Sequence, residues 1–391
     1  MKSEWKACTI GELCDSVSVT YRGEDERVVL VNTSDVLNGK VLNHTDEPNQ
    51  NLKGQFKKTF KRNDILYSEI RPANRRFAYI DFDETEKYIA STKLMVIRYR
   101  ENVVEPKFLY FLLTSNDVIG ELQRLAETRS GTFPQITFPA EVATLPVNLP
   151  PLPIQQKLAS ILSALDDKIE TNNAICRNLE EQAMALYKSW FVDFEPFGWQ
   201  KPCDWKEKDI YSVCEIIYGA PFSSKLFNQE KKGLPLIRIR DLNKQESDVY
   251  TDEIHPKAYI IHAGDIVVGM DGEFSPYIWG GDAGFLNQRV CVFKNKREKG
   301  SFFLYFSIKP QLEYIEQTEM ATTVIHIGKK DFDAFSIFLP SEKILDSFDD
   351  ITFPFYEEII QRRKENRRLT SIRESLLPRL MSGELTVKEI N

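Results

Sequence analysis

Trp5-Lys6 followed by Ile10 and Cys14 recurs, at identical spacing, as Trp205-Lys206 followed by Ile210 and Cys214. Asn63-Asp64-Ile65-Leu66 returns as Gly264-Asp265-Ile266-Val267, and Phe108-Leu109-Tyr110-Phe111 returns as Phe303-Leu304-Tyr305-Phe306. The run from Leu145 to Pro150 returns as Phe335 to Pro340. Each copy then enters a long helical pattern. A period of roughly 190–200 residues is far above solenoid repeats, so the chain is a tandem duplication. Whatever the first half folds into, the second must fold into as well.

The first long helical pattern runs from Pro150 to Phe194, with apolar residues at Ile154, Leu158, Ile161, Leu165, Ile169, Cys176, Leu179, Ala183, Leu186 and Trp190. Steps of three and four make a narrow seam, the mark of a helix that packs lengthwise on another. At ~1.5 Å rise per residue such a helix is about 60 Å long. The second pattern spans Ser341 to Ser382, with a seam of Leu345, Phe348, Ile359, Leu369, Ile372, Leu376 and Leu380. Pro354 is expected to kink it or to mark its effective start, and Gly383 to stop it. Asn172 and Asn366 fall near the two seams, where a polar residue can fix register.

Within each repeat, short β-branched or aromatic runs bounded by Gly, Asn or Asp read as strands: Val28–Val31, Asp64–Tyr67, Leu94–Tyr99, Leu236–Ile239, Asp265–Val268 and Val290–Phe293. One helix is expected in each, over Pro106–Leu125 and Ser301–Ile315. The fold class is α+β, with a curved or barrel-like sheet in each domain. The expected divisions are domains at 1–149 and 197–340, with long helices at 150–196 and 341–391.

Composition narrows the function. No apolar run reaches the ~18–20 residues of a membrane span, and the first ten residues lack an export leader's apolar core. Six scattered cysteines without a CxxC pair read as reduced thiols in a cytoplasmic protein. His44, His255, His262 and His326 have no ligand-like spacing and no motif around them, which argues against a structural metal or a nucleophile triad. There is no Gly-rich loop followed by Lys-Ser/Thr, and Gly280-Gly281-Asp282-Ala283-Gly284 reads as a turn. Glu230-Lys231-Lys232 is half a nuclease motif with no Pro-Asp to complete it. The chain reads as non-catalytic.

The formal charge of −7 does not announce a nucleic-acid partner, and residues 1–150 hold 20 basic against 21 acidic side chains. DNA contact therefore requires local basic patches. One lies at residues 53–77, where Lys53, Lys57, Lys58, Lys61, Arg62, Arg71, Arg75 and Arg76 face only Asp64 and Glu69, interleaved with Phe56, Phe60 and Phe77. Such a run suits a phosphate backbone, and arginine also reaches guanine edges; a solvated basic face is the plainer alternative. Residues 219–244 carry Lys225, Lys231, Lys232, Arg238, Arg240 and Lys244 against Glu230 and Asp241. A hydroxyl loop recurs as Ser130-Gly131-Thr132 and Ala321-Thr322-Thr323, the latter followed by Lys329-Lys330. Two similar domains with unlike basic loops point to two different DNA words. A scaffold whose globular units bind protein is the competing reading, favoured by the overall acidity.

LPPLPIQQKLASILSALDDKIETN, LEEQAMALYKSWFVDF and LTSIRESLLPRLMSGEL resemble the conserved regions of type I restriction-modification specificity (S) subunits. GAPFSSKLF with LIRIRDL resembles that family's target recognition domains; GTFPQITF fits its glycine-hydroxyl loop, and ATTVIHI lacks the glycine. The resemblance implies a chain without catalytic activity or bound cofactor, working in the prokaryotic cytoplasm. Each recognition domain would read one half of an asymmetric bipartite target in double-stranded DNA, and the helices would form an antiparallel coiled-coil spacer. Two methyltransferase (M) subunits would bring S-adenosylmethionine, and two restriction-translocation (R) subunits would bring ATP and Mg2+. The bulky tail Tyr187, Trp190, Phe191 and Phe194 exceeds what the seam requires. With Leu380 and Met381 it is a candidate docking patch for those subunits, the alternative being that the rings close the core of the second domain.

Overall fold

The computed structural model describes residues 5–50, 54–272, 274–319 and 326–381. It divides into two compact units, Met1–Asp167 with Thr370–Asn391, and Lys168–Leu369.

In the first unit, Lys6–Thr9 pairs antiparallel with Pro146–Leu149, the strand just before the first long helix. An antiparallel sheet follows in the order Cys14–Val17, Leu94–Tyr99, Ile65–Ser68, Phe77–Tyr79. A second sheet runs Glu47–Pro48, Arg27–Val31, Tyr88–Ser91, Phe56–Lys58, with its two middle strands parallel. Where one curved sheet was expected, there are two. The reason lies in the strand pattern: ILYS and LMVIRY are apolar on consecutive residues, so both faces must be covered. Ile65, Tyr67, Met95 and Ile97 pack toward the helices, whereas Leu66, Leu94 and Val96 join Val29 and Val31 of the other sheet.

The second unit has the same plan. Lys206–Asp209 pairs with Ser336–Leu339, and one sheet runs Cys214–Tyr218, Val290–Asn295, Ile266–Gly269, Pro276–Ile278. The other runs Tyr250–Thr251, Leu234–Ile237, Gly284–Leu286, Ile260–Ile261, again with a parallel middle pair. The duplication extends to single atoms. The thiols of Cys14 and Cys214 lie 3.4 and 3.5 Å from the carbonyls of Ile10 and Ile210. Asp64 and Asp265 each accept from the backbone N–H three residues earlier, at 2.8 Å in both cases. One difference was not foreseen. Ser301–Glu319 is a single helix, but its counterpart breaks into Pro106–Leu113 and Asn116–Arg129. Ser115 causes the break by turning its hydroxyl onto the N–H of Val118 as an N-cap.

The long helices are Leu152–Tyr187, extended by a π-helical turn at Lys188–Val192, and Glu342–Met381. The second runs unbroken through Pro354, so that proline neither ends nor begins it. Gly383 lies outside the described residues. Within the second unit the two helices run in opposite directions, since Ile169 and Asn172 meet Asn366, Cys176 meets Ile359, and Tyr187 meets Phe348. Asn172 is fully buried. Its amide donates to Asn366 at 2.8 Å and Glu365 at 2.9 Å and accepts from Arg362 at 3.3 Å, while Asn366 donates to Asn173 at 2.8 Å.

Replacing the buried Asn172 alone by leucine strands its half-buried partners and should cost about 1–3 kcal/mol. The double change Asn172→Leu with Asn366→Leu should recover most of that loss. Urea unfolding of the four members of the cycle measures the coupling directly.

Candidate nucleic-acid interface

The described part of the basic run of residues 53–77 is divided between two elements. Lys57 and Lys58 belong to the edge strand Phe56–Lys58, whereas Arg71, Arg75 and Arg76 belong to the hairpin between Ile65–Ser68 and Phe77–Tyr79. Lys57 and Lys61 are exposed, with no side-chain partner among the described residues. Lys58 is different: its ammonium is turned inward, donating to the carbonyls of Thr92 at 3.0 Å and Leu94 at 2.7 Å. Burial pulls its pKa below the ordinary lysine value, against the opposing influence of Glu69. Lys58 is therefore a structural cation here and not the free phosphate contact expected. Arg62 pairs with Asp83 at 2.5 Å on the surface, a contact that contributes little to stability.

The hairpin is strained at two points. Arg71 and Arg75 adopt left-handed backbones, with φ of 46° and 52°, on either side of the short turn Pro72–Asn74. For a non-glycine residue this costs on the order of 1 kcal/mol or more, a cost seen most often at functional positions. Arg75 donates to Asn116 at 2.5 Å and Arg76 to the Ser34 carbonyl at 2.9 Å, while exposed Arg71 has no side-chain partner among the described residues. The Thr132 loop is tied to this hairpin. Arg71 N–H donates to the Pro134 carbonyl at 3.1 Å, and Ile136 N–H donates to Glu69 at 2.9 Å. Exposed Thr132 and Phe133 thus stand beside Arg71. A third segment arrives from the central strand, where Glu69 N–H bonds the Lys93 carbonyl at 3.0 Å and the Lys93 ammonium lies 3.7 Å from the Glu69 carboxylate.

The second unit builds the same mouth from other side chains. Its hairpin, residues 270–275, is two residues shorter and has Gly272, with φ of 78°, where the first has Arg71. Ile327 N–H donates to the Met270 carbonyl at 3.0 Å, as Ile136 does to Glu69, and Met270 N–H bonds the Arg289 carbonyl at 2.9 Å, as Glu69 does to Lys93. His326 Nδ1 lies 2.6 Å from Asp271, and Arg289 Nε lies 3.4 Å from the same carboxylate. Gly219 brings another strand end to this corner. A Cβ there would sit 2.0 Å from the Asn287 carbonyl oxygen, so only glycine fits.

Of the residues expected here, Arg238 is neutralised: Asp241 grips its guanidinium at 2.8 and 3.1 Å, and both side chains are largely buried. It caps a helical turn and is not a free base reader. Lys225 and Arg240 are exposed, as are Lys329 and Lys330 just beyond His326. Thr323 lies outside the described residues.

The aromatic tail of the first long helix serves the core of the second unit. Tyr187 packs on Phe306 at 5.5 Å and bonds Ser307 at 3.1 Å; Trp190 and Phe191 pack on Phe348 at 5.8 and 4.9 Å; Phe194 packs on Trp205 at 5.7 Å. These rings are accordingly not a free docking patch. The side chains of Leu380 and Met381 lie outside the described residues. Among the described residues no cluster of His, Cys, Asp or Glu could hold a metal ion, and no helix is long and apolar enough to cross a membrane.

Comparison with known proteins places this geometry. The model of the type I restriction modification DNA specificity domain matches residues 2–181 and again 202–365. The chain belongs to the type I restriction-modification DNA specificity family. It is 32% identical to the HindI specificity subunit of Haemophilus influenzae, over 98% of this chain and 100% of that one. It is 26% identical to the MjaIX specificity subunit of Methanocaldococcus jannaschii, over 73% and 71% of the two chains. The solved S subunit of a type I system from M. genitalium shares the fold, with a TM-score of 0.54 at 15% identity and 96% of each chain covered.

Three residues of these two corners escaped sequence reasoning: Lys93, Asp271 and Arg289. None sits in a basic run. The available signal was the repeat itself, because Lys93-Leu94 and Arg289-Val290 occupy the same position before the two central strands.

The two neighbouring lysines should separate by experiment. Lys57→Ala should weaken binding to every duplex and reduce the salt slope by about one unit. Lys58→Met should leave that slope unchanged and lower stability by about 1–3 kcal/mol, because two carbonyls lose their donor. Duplex affinity at graded salt, with urea unfolding alongside, reads both.

Proposed function

We propose that this specificity subunit is the non-catalytic reader of a type I restriction-modification complex, with each unit reading one half of an asymmetric bipartite DNA target. The observation that carries this reading is the repeated mouth. Two units keep one backbone frame down to single hydrogen bonds, yet differ in the side chains that the frame presents. Selection for stability alone would not require the difference to fall there. Arginine and lysine at the mouth suit duplex DNA, whose phosphates reward positive charge and whose guanine edges accept two donors from one guanidinium.

In this reading the long helices form an antiparallel coiled-coil spacer and carry the docking surface for two methyltransferase subunits, on faces other than the packed aromatic tail. Two restriction-translocation subunits complete the assembly. S-adenosylmethionine, ATP and Mg2+ belong to those partners, and the complex works in a prokaryotic cytoplasm. The family membership supports the partner classes.

The test uses this chain assembled with its methyltransferase partner on duplex DNA at graded salt. Affinity should fall linearly on logarithmic axes as counterions are released. Affinity indifferent to salt would leave the protein-binding scaffold as the better reading. Arg71→Ala should weaken recognition of one half-site by about 1–3 kcal/mol and leave the base preference of the other intact. Equal loss at both halves would show that the units do not read independently.

A further inference from the structure

We infer that Arg289, paired with Asp271, reads a guanine in the half-site of the second unit, and that Lys93 occupies the equivalent position in the first. This rests on the DNA-reading assignment above. The equivalence is geometric. Each cation immediately precedes a central strand, each lends its carbonyl to the hairpin residue opposite, and each faces a carboxylate on that hairpin: Glu69 for Lys93, Asp271 for Arg289. Both side chains are 50% exposed.

The hydrogen-bond inventory of the corner then assigns the work. His326 Nδ1 lies 2.6 Å from Asp271 Oδ1 and 3.1 Å from Arg289 Nη1. A ring nitrogen that donates its proton to the carboxylate has no lone pair left for the guanidinium. Asp271 therefore satisfies the histidine on one oxygen and holds Arg289 through Nε on the other. The Nη donors of Arg289 are then left without an acceptor in this corner, on a side chain that is half exposed. A guanidinium paired at Nε whose Nη donors lack an acceptor is suited to two parallel bonds, and guanine O6 and N7 offer that acceptor pair in the major groove. Lysine in the corresponding corner is a point charge and cannot make the paired contact. The two units thus differ in base-reading capacity at one shared position.

The experiment selects duplexes from a pool randomised at both half-sites, using this chain with its methyltransferase partner, and sequences the bound fraction. Arg289→Lys keeps the charge and removes the fork. It should relax one guanine position of one half-site by roughly ten- to a hundredfold, with a matching loss of affinity for the guanine-bearing word, while affinity for other sequences and the salt slope stay near wild type. Asp271→Asn should relax the same position to a smaller degree. If Arg289→Lys leaves every base preference unchanged, or if Arg289→Ala weakens all sequences alike, the guanidinium is a surface ion pair or a phosphate contact and the inference fails. A wild-type complex that selects no sequence at all would instead overturn the DNA-reading assignment itself.

Discussion

Inside the second unit, two amides meet where the long helices run past one another. Asn172 and Asn366 bond across the helix pair, with Glu365 and Arg362 completing the ring of partners. A leucine pair would tolerate sliding; a buried amide pair does not, because a slipped register leaves both unsatisfied. The register matters beyond the pair itself. Leu345, Phe348, Tyr356 and Ile359 reach the core from one helix, and Phe348 receives Tyr187, Trp190 and Phe191 from the other. Displacing either helix by a turn would move Phe348 away from that nest and open the core on which the second sheet rests.

The same economy of parts appears at the mouths. A hairpin, a loop and a strand corner are tied to each other by backbone bonds in both units, and these bonds do not depend on the side chains they carry. That separation of frame from contact residues lets one fold present different surfaces. Arg71 on one hairpin and Gly272 on the other occupy the same left-handed position. The backbone requirement is common, and the chemistry is not.

Much of this was legible in the sequence. The duplication appeared as paired motifs, and those motifs turn out to mark strand pairings and buried thiols at matched positions. Strand placement followed from short apolar runs, and the long helices from their seams. What the sequence hid was direction. A basic run says nothing about which ammonium turns inward, so Lys58 and Arg238 looked like their neighbours until Thr92, Leu94 and Asp241 claimed them. Sequence also undervalues isolated residues. Lys93 and Arg289 stand without basic neighbours, and His326 has no motif around it. Their meaning comes from the hairpin each faces, which is a long-range contact that no local pattern encodes. The aromatic tail was ambiguous for a related reason: bulk beyond a helix seam can serve a partner or its own core, and here Phe303, Phe306 and Phe348 pack against it.

On the proposed reading, two unlike readers in one duplicated chain make a definite demand on the DNA. Mapping every methylated site in DNA modified by the assembled complex tests that demand most directly. The account predicts one asymmetric word made of two fixed blocks, separated by a gap of constant length and indifferent sequence. A single uninterrupted word, or two blocks whose spacing varies from site to site, would contradict it.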